Sequence, residues 1–228
     1  MRGHHYGSHF ELSPAEYEAR RQGHLQRRRV RLVAAEVDAR ARTGDRVVEL
    51  GCGPGDVLAV LGLARPDLEF VGIDVDERMV AHAQDAHGSA NVTFRLADIA
   101  ERPLPVKARI VFGIDVLHHV CALGPFVRSV AEMLEPDGLW VAVEPNSRNP
   151  YIWLHQERMR RSGLDEDHFR RATFEAAVDT AGLRVVDRST AFLVPGAVAS
   201  VPGLVERLES MLERVPVLGG SVVYRISP

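Results

Sequence analysis

The sequence predicts an α/β fold with a doubly wound, largely parallel sheet. Three observations point to it. Short β-branched runs alternate with helix-like stretches through the middle of the chain, the rhythm of right-handed βαβ units. The runs Val47-Val48 and Ile110-Val111-Phe112 are apolar without alternation, as suits strands buried on both faces. A glycine-rich turn then joins the first run directly to a helix-like stretch.

In chain order, Ser13–Arg42 reads as helix, with Ser13 as N-cap, Pro14 at the first helical position and Gly23 as a point where it splits. Strands are expected at Arg46–Leu50, Glu69–Ile73, Val92–Leu96, Arg109–Ile114 and Leu139–Glu144. Helices are expected between them at Asp56–Ala64, Glu77–His87 and Gly124–Leu134. After Pro145 the rhythm changes. Asn146–Arg171, rich in charge and aromatics, reads as an inserted helical segment. Thr173 is expected to cap a helix ending at Gly182, followed by a strand around Leu183–Arg188. A loop punctuated by Pro195, Gly196, Pro202 and Gly203 leads to a helix at Leu204–Arg214 and a last strand at Ser221–Ile226.

Composition narrows the class. The chain has 228 residues, 46% hydrophobic and 26% charged, which suits one globular domain rather than a disordered or fibrous chain. Its 28 basic residues against 31 acidic ones give a net charge of −3, so no nucleic-acid partner is expected. The basic run Arg27-Arg28-Arg29 is diluted by Glu16, Glu18, Glu36 and Asp38 and reads as a solvated helix face. Cys52 and Cys121 make no disulfide framework. Cys121 reads as a small core residue. No apolar run approaches the ~20 residues that span a bilayer, and the first residues lack the apolar stretch of a signal peptide. A cytoplasmic protein is expected, and His4 and His5 carry no weight in that reading.

The chemistry lies in Val47-Val48-Glu49-Leu50-Gly51-Cys52-Gly53-Pro54-Gly55-Asp56. A strand, a glycine loop and a helix bring backbone N–H groups close to a ligand. The dinucleotide spacing would need a glycine at 56, where Asp56 stands. Glu49 would repel a pyrophosphate and favour a cation, so a ligand with an ammonium group and no phosphate suits the loop better. Nineteen residues beyond Gly55, at the end of the next strand, Asp74 is placed to accept two ribose hydroxyls, with Val75 after it. Asp98, followed by Ile99, ends the third strand, where a carboxylate receives an exocyclic amine; Asp115 ends the fourth. Acids at successive strand ends line the crevice outside the carboxyl edge of such a sheet.

These residues resemble the class I S-adenosylmethionine-dependent methyltransferases over about Arg46–Asn146. The glycine signature corresponds to Glu49–Gly55, the ribose acid to Asp74 and the adenine-site acid to Asp98, with Ile99 beside it. The resemblance implies S-adenosyl-L-methionine as cofactor and a Rossmann-like sheet of seven strands, mostly parallel, with the last antiparallel. It implies a helical lid over residues 1–43 and a catalytic domain over 44–228, with segments 145–172 and 190–203 forming the acceptor pocket. Glu49, Gly51, Cys52, Gly53, Gly55, Asp74, Val75, Asp98, Ile99 and Asp115 are then the cofactor-binding candidates, joined from the lid by His24 and Arg28.

The acceptor is expected to be a small molecule, because the fourth strand ends in Asp115-Val-Leu-His118 rather than the Asn/Asp-Pro-Pro-aromatic motif of adenine and glutamine methyltransferases. His118 and His119 are candidate bases for a hydroxyl, phenol or carboxylic acid. Asp115, His118 and His119 stand i, i+3, i+4, one side of a helix. The ubiquinone-pathway O-methyltransferases look similar here, but this chain has His118 where their metal-binding pattern has an acid, so no metal is expected. Tyr17, Tyr151, Trp153, His155, His168 and Phe192 are the candidate acceptor-pocket residues. O-methylation of a natural-product or quinone-like acceptor is the leading expectation. N- or C-methylation, a cofactor-binding cyclase or eliminase, and a non-catalytic cofactor-binding partner stay open. The helix Leu204–Arg214 packs on the sheet or on a twin subunit, so a homodimer also stays open.

Overall fold

The computed structural model describes residues 12–21, 23–161, 168–191 and 215–228, without the side chain of His24. The expected helix 204–214, the loop around Phe192 and Phe192 itself lie outside these residues.

The N-terminal helix splits at Gly23 into α1 (Pro14–Arg21) and α2 (His24–Arg40). Ser13 and Glu16 close a capping box on α1: the Glu16 carboxylate accepts the Ser13 backbone N–H at 3.0 Å, and Ser13 Oγ accepts the Glu16 N–H at 3.3 Å. Strands β1 (Arg46–Leu50), β2 (Glu69–Asp74), β3 (Val92–Leu96) and β4 (Ala108–Ile114) alternate with α3 (Asp56–Ala64) and α4 (Glu77–His87). Then follow α5 (Leu123–Met133), β5 (Leu134–Pro145), α6 (Pro150–Arg161), α7 (Arg171–Thr180), β6 (Arg184–Ala191) and β7 (Ser221–Ser227).

The seven strands form one sheet in the order β3-β2-β1-β4-β5-β7-β6. Pairs among the first five are parallel, and β7 runs antiparallel to both β5 and β6. Strand order reverses between β1 and β4, the switch point at which such sheets open a crevice at their carboxyl ends.

Two departures from the sequence expectation have local causes. β5 begins five residues earlier than expected, because Leu134 pairs with Ala108 across a register shift before Leu139 meets Ile110. Thr173 is not a cap: α7 starts at Arg171, with Arg170 in the cap position and no side-chain cap. At the other end Gly182, at φ +77°, closes a Schellman turn; its N–H meets Asp179 O at 3.0 Å and the Leu183 N–H meets Val178 O at 3.1 Å.

Helices cover both faces. On one, Val127, Val130 and Met133 of α5 and Phe174 and Val178 of α7 pack on Val48, Val111, Trp140 and Tyr224. On the other, Val33 and Val37 of α2, Leu58 and Leu61 of α3 and Ala83 of α4 pack on Val47, Phe70, Ile110 and Phe112. The second half of α2 is therefore a core element, while α1 and the start of α2 overhang the carboxyl edge. Within the described residues no helix is long and apolar enough to cross a membrane.

Candidate active site

A crevice of about 980 Å³ opens at the carboxyl edge, roofed by α1 and the first turns of α2 and flanked by α6. That volume is at the upper end of small-molecule pockets, with room for a nucleoside cofactor and a second small molecule.

Its floor is the glycine loop. Gly53 adopts φ +51°, and a Cβ there would project into the space beside Tyr17, whose Cε1 would lie 3.7 Å away. Asp74 organises the loop: Oδ2 accepts the Gly53 N–H at 2.7 Å and Oδ1 the Asp76 N–H at 3.0 Å. Burial pushes the Asp74 carboxyl above its ordinary value, against the pull of those backbone N–H groups. Asp74, Val75, Asp98, Ile99 and Met79 face the crevice, together with Gly51 and Gly53.

Three of the expected cofactor residues stand behind the loop rather than on the crevice wall. Gly55 is packed against Phe94 and Ala83, and Cys52 is 1% exposed, its thiol pushed well up by burial. Glu49 is 2% exposed and its Oε2 meets no hydrogen-bond partner among the described residues. Burial first, and Asp56 and Asp74 after it, push its carboxyl well above the usual range, while Arg21 opposes them.

The lid differs from expectation in detail. Tyr17 faces the crevice as expected, but the cations beside it are Arg20, Arg21 and Arg29, and Arg28 does not line the space. Tyr17 and Arg21 stand four apart on α1, and Leu25 and Arg29 four apart on α2, so each pair shares a face of its own helix. Arg21 donates to Tyr17 Oη at 3.1 Å, and Gln26 donates to Asp56 Oδ2 at 2.5 Å, joining the lid to the start of α3. Arg29 forms an ion pair with Asp115. Asp115 thus faces the crevice already bound to a guanidinium, in a left-handed backbone conformation at φ +56°. It is not part of a helix with the histidines, since only Leu117–His119 form a 3₁₀ turn.

That turn is held by a residue the sequence reading missed. Glu144, wholly buried near the end of β5, accepts the backbone N–H groups of Val116 at 2.9 Å and Leu117 at 2.8 Å. Its Oε2 lies 2.7 Å from His118 Nδ1. Against an ionised carboxylate, which is acceptor-only, Nδ1 is the donor, and in that tautomer the ring's lone pair lies on Nε2. His118 and His119 both line the crevice, their ring centroids 4.0 Å apart. Glu144 continues the series of strand-end acids by one strand, which was the signal available in the sequence.

On α6, Tyr151, Ile152, His155 and Gln156 face the crevice, and the Tyr151 and His155 rings stack at 6.4 Å. Trp153 and His168 do not: they stack on each other at 6.0 Å, and His168 Nδ1 lies 3.2 Å from Gln156 Oε1. Cys121 is exposed at the crevice mouth rather than in the core.

A seven-stranded sheet of this order, with a glycine loop and strand-end acids around a crevice, defines a class I methyltransferase fold. The profile of the methyltransferase domain family matches residues 41–183, and the chain belongs to that family. S-adenosylmethionine is its cofactor. The residues present fit it: Asp74 and Asp98 line the crevice at and just past the ends of β2 and β3, and behind the glycine loop a buried Glu49 carboxylate oxygen has no hydrogen-bond partner among the described residues. The chain is 32% identical over 102 residues to 27-O-demethylrifamycin SV methyltransferase of Amycolatopsis mediterranei, covering 42% of this chain and 37% of that protein. It is 40% identical over 102 residues to juvenile hormone acid O-methyltransferase of Bombyx mori, with the same coverage of 42% and 37%. The chain thus spans little more than a third of the length of these curated relatives. Among solved structures, geranyl diphosphate C-methyltransferase of Streptomyces coelicolor, in complex with Mg2+, geranyl diphosphate and S-adenosyl-L-homocysteine, superposes with a TM-score of 0.60 at 14% identity, over 86% of this chain and 79% of that one.

Proposed function

We propose that this protein transfers a methyl group from S-adenosylmethionine to an oxygen of a small natural-product or quinone-like acceptor. The observation that carries this reading is the His118–Glu144 pair on the crevice wall, with Nδ1 and Oε2 2.7 Å apart. A hydroxyl or phenol must lose its proton as it attacks, whereas a neutral amine need not. When bound, the cofactor supplies an activated methyl on a sulfonium. His118 Nε2 takes the proton of the acceptor hydroxyl, and Glu144 steadies the imidazolium that results. Asp74 and Asp98 hold the nucleoside, and Arg21 or Arg29 meets the carboxylate of the cofactor's amino-acid end. Tyr151, Ile152 and His155 supply the acceptor wall, and alignment and exclusion of water provide the rest of the rate. The names of the rifamycin and juvenile hormone acid relatives, both O-methyltransferases, support an oxygen acceptor.

The test is calorimetric titration with S-adenosylhomocysteine, followed by incubation with S-adenosylmethionine and panels of phenols, alcohols, carboxylic acids and amines. S-adenosylhomocysteine release with an oxygen panel supports the proposal. Release with amines alone, or cofactor binding with no turnover on any panel, overturns it.

Two further results are expected. Asp74→Ala weakens S-adenosylhomocysteine binding about tenfold or more, since a lost charge-assisted hydrogen bond costs about 1.5–3 kcal/mol. Unchanged affinity in calorimetry would place the ribose elsewhere. Binding also depends on pH through Glu49. Burial raises its carboxyl in the free protein, whereas the positive charge of a bound ammonium lowers it. Binding therefore releases a proton, and affinity rises with pH until the free-state carboxyl is ionised. Titrations in buffers of different ionisation enthalpy measure that proton directly, and Glu49→Gln abolishes its release.

A further inference from the structure

Outside the crevice, Glu18 of α1 meets His82 and His87 of α4. His82 Nε2 lies 2.9 Å from Glu18 Oε2, and His87 Nε2 lies 3.0 Å from Glu18 Oε1. Two rings thus converge on one carboxylate, and the three groups offer ligand atoms that all lie within 4.8 Å of one another. All three side chains are half-buried, between 19% and 24% exposed. The rings stand edge to face, 6.3 Å apart, each presenting its Nε2 to the same carboxylate.

We propose that Glu18, His82 and His87 form a binding site for a divalent cation of the zinc class, which clamps helix α1 to helix α4. Two imidazole nitrogens and a carboxylate are a donor set for zinc and neighbouring transition metals, whereas magnesium and calcium need oxygen ligands. Bonds of about 2.0–2.1 Å at a tetrahedral angle separate neighbouring ligand atoms by about 3.3 Å. Each ring nitrogen already stands 2.9 or 3.0 Å from its own carboxylate oxygen, and one ligand atom from each of the three residues can be chosen with all within 4.8 Å of one another, so small side-chain shifts bring the set to that spacing. Water completes the coordination.

The clamp acts on the lid. Glu18 sits between Tyr17 and Arg21 on the same short helix, and those two face the crevice. Fixing Glu18 to α4, which packs along β3 at the sheet edge, fixes Tyr17 and Arg21 over the glycine loop. This consequence rests on the crevice being the cofactor site; the metal site itself does not.

The experiment is calorimetric titration of the EDTA-stripped full chain with zinc chloride, without cofactor, in a H4A/H5A background so that the first histidines do not report. One equivalent is expected to bind, with affinity at least about tenfold lower in E18Q, H82A and H87A. Hydrogen exchange of residues 14–21 is expected to slow on zinc addition. Circular dichroism establishes that each variant is folded. Should a variant unfold, titration of the His82 and His87 ring nitrogens by NMR in the unsubstituted sites gives the same answer. No binding, binding that survives H82A and E18Q, or zinc that leaves both ring signals unmoved overturns the site. Unchanged cofactor affinity with zinc bound would overturn the coupling to the lid alone.

Discussion

Replacing His118 with alanine lowers turnover by about 10²–10⁴-fold, the range for loss of a general base, while leaving S-adenosylhomocysteine affinity close to that of the unaltered protein. The two quantities separate because the base acts on the acceptor, whereas the cofactor is held by the loop and strand-end acids. Glu144→Gln gives a second, more diagnostic arm. The glutamine oxygen still accepts the N–H groups of Val116 and Leu117, so the turn keeps its main support. Its amide NH2, facing Nδ1, favours the tautomer with the proton on Nε2, and the ring then has no lone pair for the acceptor. Turnover falls while His118 remains in place, and raising the pH does not restore it. Steady-state kinetics on whichever oxygen acceptor is turned over, with calorimetry beside them, decide the matter. Equal losses of turnover and cofactor affinity in both variants would make the pair a prop for the turn instead of the base.

Gly53→Val abolishes cofactor binding, by more than about a hundredfold or ~2.7 kcal/mol, with the sheet still folded. Two effects combine at this position. A β-branched residue at φ +51° is strained, and its methyl groups extend into the crevice beyond the 3.7 Å gap to Tyr17. Gly55→Val behaves differently, because a Cβ there would lie 2.7 Å from Phe94 Cζ and 2.9 Å from Ala83 Cβ. That variant loses thermal stability first. A melting curve and a titration on each protein separate the two cases. Retained binding in folded Gly53→Val would move the cofactor off the loop.

Legibility of the sequence tracked how local each signal was. β1, α3, β3 and α4 fall on the residues their composition predicts, because β-branched runs and helical periodicity are set within a few positions. The strand-end acids were legible for the same reason. Glu144 carries the same strand-end signal, but its role is not legible in the sequence, because it depends on β5 lying next to β4, with Val143 opposite Ile114; only then does its carboxylate reach the turn that follows β4. The lid arginines were misjudged by one position, Arg28 for Arg29, which on a helix is a rotation of about 100°. The same geometry separates Tyr151 and His155, four apart and facing the crevice, from Trp153 on another side of α6.

The place of β7 in the sheet has a consequence for how the chain is made. β7 lies between β5 and β6 and supplies the hydrogen-bonding edge for both. β6, although synthesised earlier, therefore has no edge to join until residues 221–227 have emerged. During synthesis β5 presents an unpaired edge rich in apolar residues, Trp140 to Val143, for the whole interval in which 146–220 are translated. Such an edge is a template for pairing with other chains. Nascent chains stalled anywhere in that interval are the species expected to aggregate or to recruit a chaperone, and completion of β7 is the event that ends the hazard.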